Sequence, residues 1–413
     1  MTRSRTLTGL AAAVSLAVLV ACGTASQGRG APAGLTSGAP SRAASVSAGA
    51  ARHYLYVLVD RAMYVYDADH HHRLVQAVSL PGVTGVRGVA ASPRTHTLYV
   101  SHGEDGGPGS HGSLLALDLL TNRVRWDRTY PTGIDSMAIN AAGTRIYMPD
   151  GELSHDGVWN IIDAGSGAVI GHIDGGMGPH NTVVGLSGRR VYLGGRNDNH
   201  LDVANTATGG VVTRIGPLRS GVRPFTINGA ETLAYTTATG FLGFQVSSVR
   251  TGRVLYTETF GPRFRYDPAT FAPSAPSHGI SLSPDARQLW VMDAPNGFVH
   301  VFDVSRVPRR SPRRIADIRL SHTFTGTKSD CSYDCARDGW LLHSANGCSV
   351  YVGDSGDVID TASRRPIAFL PALRNSREFL EIDWRQGRPV ATTSRTGLGY
   401  VRPGHRSSPT RCR

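Results

Sequence analysis

At 413 residues with a formal charge of +12, the chain is long enough to bury a large core, and its basic excess favours anionic surfaces such as lipid headgroups. Lys328 is the only lysine, which excludes a Gly-Lys-Ser/Thr phosphate loop and leaves one residue for any Schiff-base chemistry. His-Glu-x-x-His, Gly-x-Ser-x-Gly and EF-hand patterns do not occur, and no basic block with interleaved aromatics argues for nucleic acid.

In chain order, Arg3 and Arg5 precede an apolar run, Leu10–Val20, without an intervening acid. This is the n-region and h-region of a secretory signal over residues 1–21. The run falls short of the roughly 20 apolar residues that span a bilayer. Leu19-Val20-Ala21-Cys22-Gly23 resembles a bacterial lipobox, which implies lipidation of Cys22 and its exposure as the mature N-terminus. The alternative is an ordinary signal peptide with Cys22 incidental. Without Arg3 and Arg5 the mature chain carries about +10. Residues 22–52 are Gly, Ala, Ser and Pro with almost no large apolar side chain, so they read as a flexible tether.

From residue 53 one pattern recurs: a short strand, a turn of Gly, Asn or Pro, then a strand with an aromatic at its centre. The clearest copy runs from Ser277-His278-Gly279-Ile280 through Ser283-Pro284-Asp285 into Leu289-Trp290-Val291. Copies starting at 87, 135, 180, 223, 278, 339 and 379 define a unit of about 40–50 residues, with insertions near 262–277 and 320–338. A third strand such as Val299–Asp303 and a fourth such as Ala168–Ile173 complete each unit. Four short strands per repeat predict an all-β, single β-propeller over residues 53–402, followed by a polar tail, 403–413. Seven blades is the expectation and eight the alternative, because Leu55-Tyr56-Val57 and Val390-Ala391-Thr392 both read as second strands. The chain is expected to enter at a second strand and leave after a third, so that the closing blade leaves no free edge.

Ser283-Pro284-Asp285 leading into Leu289-Trp290-Val291-Met292-Asp293, with Val299–Asp303 after it, resembles YVTN-type, YncE-like propellers over roughly residues 54–401. Gly178-Pro179-His180-Asn181-Thr182, Arg223-Pro224-Phe225-Thr226-Ile227-Asn228-Gly229 and Gly353-Asp354-Ser355-Gly356-Asp357 resemble an exported bacterial lipoprotein subgroup. The resemblance implies fold and export but no particular activity. The segment holding Cys331, Cys335 and Cys348 lies outside the repeat. In an exported protein these three and Cys412 are disulfide candidates, with a Cys331/Cys335/Cys348 metal cluster as the alternative.

The aligned first-strand positions are Arg87, Asp135, His180, Arg223, His278, Gly339 and Phe379. Innermost strands start at one face of a propeller, so these side chains are expected to converge on the channel mouth, with Asp338 and Glu378 beside them. Three readings stand. Arg87 and Arg223 fork onto an anionic or polar ligand, helped by Asp135, His180 and His278. Alternatively His180, His278 and Asp135 hold a transition metal. Finally, ion pairs simply plug the mouth. His70-His71-His72 reads as a solvated turn, His343 as a buried satisfied histidine, Trp340 as core, and Asp354 as a turn former.

The functional expectation is a lipid-anchored, monomeric scaffold facing the extracytoplasmic side, binding an anionic small molecule or another exported protein but not nucleic acid. The alternative is a channel-mouth enzyme: a metal-dependent or lactonase-like hydrolase, or a quinoprotein-type dehydrogenase subunit. No serine–histidine or cysteine–histidine arrangement in the sequence supplies its nucleophile.

Overall fold

A computed structural model describes residues 49–329 and 331–396. The signal segment, Cys22, most of the tether, Cys412 and the polar tail lie outside the described residues. Seven antiparallel sheets form the body, six with four strands and one with five. Each four-stranded blade runs in chain order from the channel outwards, as in Val86–Ser92, Thr97–Gly103, Gly112–Asp118 and Val124–Tyr130.

The repeat folds this way because the second strand of each blade carries a large ring at its centre that the blade buries. Tyr99, Tyr147, Tyr192, Tyr235, Trp290 and Tyr351 are almost fully buried there. Several of these rings also tie one blade to the next. The Tyr99 hydroxyl donates to the Ala164 carbonyl at 2.9 Å, and the Tyr192 hydroxyl donates to Glu231 Oε2 at 3.1 Å. Each hydroxyl thereby keeps a partner when its ring is buried. The outermost strands alternate less and stay wet: Arg73–Ser79 is almost wholly exposed.

The ring closes by mixing the two ends of the propeller. Glu378–Arg385 supplies the first strand of the closing blade, and Arg52–Val59, Ala62–Asp67 and Arg73–Ser79 supply the other three. Leu55 lies opposite Glu381, and Val57 opposite Phe379. Entry at a second strand is as the repeat implied. The exit differs: Val390-Ala391-Thr392 is not a second strand, because Arg52–Val59 already occupies that place. Arg388–Thr392 instead pairs on the inner edge of Glu378–Arg385, with Ile382 opposite Thr392. The blade count is therefore seven.

Cys331 and Cys335 are disulfide-bonded to each other, which rules out the Cys331/Cys335/Cys348 metal cluster. Cys348 is also disulfide-bonded. The His70-His71-His72 turn is only partly solvated. His71 and His72 take φ of 56° and 53°, which folds the His72 ring inward onto the edge of Tyr351 at 5.6 Å.

Candidate functional site

Antiparallel pairing decides which residues share the channel mouth. The start of each first strand lies opposite the end of the second, as in Val86 with His102 and Pro179 with Gly195. Residues just beyond second strands therefore join the predicted ring. Arg87, Asp135, His180, Arg223 and His278 all line one cavity of about 300 Å³. Glu152 and Arg196 join them from second-strand ends, and Asp334, Arg377 and Arg395 from elsewhere. Asp338 and Glu378 line it too, whereas Gly339 and Phe379 do not.

The centre of the site is an Asp135–His180 pair. His180 Nδ1–H donates to Asp135 Oδ2 at 2.7 Å. Its Nε2 lies 3.5 Å from Arg223 Nη1. His278 repeats the arrangement: Nδ1–H donates to the Gly339 carbonyl at 2.9 Å. Gly339 has φ +90°, a conformation that favours glycine. Burial, with Arg377 and Arg223 nearby, holds the His278 imidazole well below its ordinary pKa, so it is neutral. The two rings lie 6.2 Å apart, and His278 meets the edge of Trp340.

The arginines are already engaged. Arg223 Nη1 donates to Glu152 Oε2 at 2.7 Å, and its Nη2 reaches the Ser274 hydroxyl. Arg196 Nη1 lies 3.1 Å from the same Glu152 oxygen. Arg87 Nη2 lies 3.1 Å from Asp105 and 3.3 Å from both Asp135 and Glu152. Burial would raise the carboxyls of Asp135 and Glu152. Arg87 and His180 outweigh it at Asp135, and His180, Arg223, Arg87 and Arg196 do so at Glu152, so both are ionised. Arg395 Nη2 donates to Glu378 Oε1 at 2.6 Å and its Nε lies 2.5 Å from Glu378 Oε2, yet burial still pushes the Glu378 carboxyl up to about 7. Arg395 in turn lies 3.5 Å above the Trp340 ring, a cation–π contact. Trp340 is thus both core and cavity wall.

Five guanidiniums and five carboxylates line the cavity among the described residues. Asp135, Glu152 and His180 are also close enough together to hold a metal ion. His278 has the posture of a metal ligand, with Nδ1 donating away and Nε2 unused, whereas His180 Nδ1 is taken by Asp135 and its Nε2 lies against Arg223. A cation there would compete with Arg87 and Arg223, which already neutralise the two carboxylates at contact distance. Elsewhere, His343 is buried. Its Nδ1 lies 2.8 Å from the Ser281 hydroxyl, and burial lowers its pKa to about 3. Asp354 is more than a turn former: it is fully buried, and its Oδ2 accepts from the Asp338 and Gly339 amides.

Fold and site together define a seven-bladed β-propeller with a charge-balanced, partly open channel mouth. Among solved structures the chain is similar to Kuenenia stuttgartiensis hydrazine synthase, at 16% identity and a TM-score of 0.50 over 68% of this chain and 77% of that one. At that identity the likeness concerns the fold alone. No family model matches the chain, and no curated protein matches it.

Proposed function

We propose that this protein is an exported, YncE-like propeller, tethered to a membrane through lipidated Cys22, which binds a small anionic or polar molecule at its channel mouth. The observation that carries the reading is the cavity of about 300 Å³ onto which two imidazoles and a compensated set of arginines and carboxylates converge. A mere plug would pack this space. Here buried donors and acceptors instead surround a volume of the size that ligand pockets have. Most of their charges are held by partners on the blade framework, which keeps the reorganisation on binding small. The propeller supplies the rigid support, and the loops between strands supply the contacts.

A second reading has its own observation. Neutral His278, whose Nδ1–H is held by the Gly339 carbonyl, leaves its Nε2 for general base catalysis or a transition metal beside the Asp135–His180 pair. Elemental analysis of the exported protein separates the two. Stoichiometric metal that is lost when His180 and His278 are both changed to alanine favours the metal reading.

The binding reading is tested by a thermal-shift screen of carboxylates and phosphates. Wild type should give at least one saturable stabilisation, and Arg223→Ala with His278→Ala should lose it while remaining folded. Failure of that double variant to fold would instead assign the cluster to holding the channel shut.

A further inference from the structure

The insertion that interrupts the repeat ends as a strap across the channel mouth. Its described part beyond residue 330 is stapled by the Cys331–Cys335 disulfide. The Ser332 amide and hydroxyl donate to Asp60 Oδ2 at 2.7 and 2.6 Å, and the Tyr333 hydroxyl donates to Asp105 Oδ1. Between these anchors and the cavity stands Asp334. Its Oδ2 accepts from Arg87 Nη1 at 2.8 Å and from Arg377 Nη2 at 2.6 Å.

The two guanidiniums are divided in the same way. Arg87 gives Nη2 to framework acids, Asp105, Asp135 and Glu152, and reserves Nη1 for Asp334. Arg377 gives Nη1 to Asp338 at 2.5 Å and reserves Nη2 for Asp334. Framework carboxylates therefore orient Arg87, Asp338 at the end of the insertion orients Arg377, and one terminal nitrogen of each arginine converges on a single point at the cavity wall. Lys328, the only lysine, is near enough to add its charge to the same carboxylate.

The occupant of that point differs from its hosts. The Asp334 side chain is 35% exposed, against 5% for Arg87 and 10% for Arg377. Asp334 also takes φ 49°, a left-handed conformation that non-glycine residues adopt uncommonly. Backbone strain of this kind persists where surrounding contacts enforce it. Here those contacts deliver one carboxylate oxygen to two preoriented donors.

We infer that Arg87 and Arg377 form a carboxylate subsite, which the strap fills with Asp334 and a carboxylate-bearing ligand enters by displacing it. The inference rests on the channel-mouth binding reading and narrows its ligand class. The strap then acts as a competing internal ligand, and the affinity observed for an external carboxylate is reduced by the fraction of time that Asp334 is seated.

The test is a calorimetric titration of acetate into the full chain at fixed ionic strength. Asp334→Gly removes the carboxylate and accepts the positive φ without strain. It should bind acetate saturably and at least tenfold more tightly than wild type, with inorganic phosphate weaker than acetate. A folded Asp334→Gly protein with no gain in acetate affinity would overturn the inference, as would phosphate binding equal to acetate. If the glycine variant does not fold, Asp334→Asn is titrated instead. A gain of about threefold is then expected, and the absence of any gain likewise overturns the inference. The two readings fail separately. A carboxylate bound by wild type without an acetate gain in the variant removes only the subsite. An acetate gain with no ligand found for wild type removes only the broader binding reading.

Discussion

Two ionic clusters built from the same residue types, one of them partly exposed at His53, sit in different settings. At the closing seam, His53 Nδ1 lies 2.7 Å from Asp383 Oδ1 and 3.5 Å from Glu381 Oε1. Strand pairing holds all three in register, with His53 opposite Asp383. At the channel mouth, Asp135, Glu152 and His180 are as close together, but they border a cavity, and His278 beside them leaves a nitrogen unused. The seam cluster spends its hydrogen bond on joining Arg52–Val59 to Glu378–Arg385. The mouth cluster borders a cavity and leaves the His278 Nε2 unused. On the proposed function, what separates the two clusters is the cavity beside one of them, not their composition.

The comparison predicts an order of effects. His53→Ala should be the most damaging change, since it leaves Glu381 and Asp383 together without their cation. A loss of about 3 kcal/mol is expected, read from denaturant midpoints, with ligand binding unchanged. At the mouth, His278→Ala removes a neutral ring and one hydrogen bond to a carbonyl, for about 1 kcal/mol, but should abolish binding. Equal stability losses at the two places would erase the distinction.

The seam should also respond to pH. Asp383 and Glu381 outweigh burial and push His53 from 6.5 up to about 11. A histidine raised in the folded state stabilises fully below its unfolded value and loses that contribution as pH climbs towards the folded one. Stability should therefore fall from about pH 6.5 towards pH 11, and His53→Ala should flatten the decline. An unchanged pH profile in the variant would show that His53 does not set the pH response.

Smaller effects sharpen the picture of the strap. Changing Cys331 and Cys335 to serine opens a very short loop, for which chain entropy gives about 2 kcal/mol at most. The change should appear as faster proteolysis within the strap rather than as unfolding of the blades. Least of all, Val212→Thr on an exposed outer strand should stay within about 0.5 kcal/mol of wild type.

Much of the fold was legible in the chain. The aromatic at the centre of each second strand and the turns around it revealed the blades, because every blade buries that ring for the same reason. Arg87, Asp135, His180, Arg223 and His278 could be aligned because they occupy one position of the repeat. Glu152, Arg196 and Asp105 were missed although they obey the same rule one strand later, since second strands end on the face where first strands begin. Arg395 follows the extra inner strand, for which the repeat has no template. Asp334 comes from an insertion whose register no repeat can supply. His72 looked like part of a solvated run until two left-handed residues turned its ring inward.

The mouth, and not the seam, is where this protein is proposed to meet its ligand. The most direct measurement is calorimetric titration of one carboxylate identified by thermal shift into three proteins: wild type, His53→Ala, and Arg223→Ala with His278→Ala. The seam variant is predicted to bind as wild type does despite its lower stability, and the mouth variant to stay folded and bind nothing. Undiminished binding by the mouth variant, or affinity that falls in step with stability across all three, would contradict that assignment.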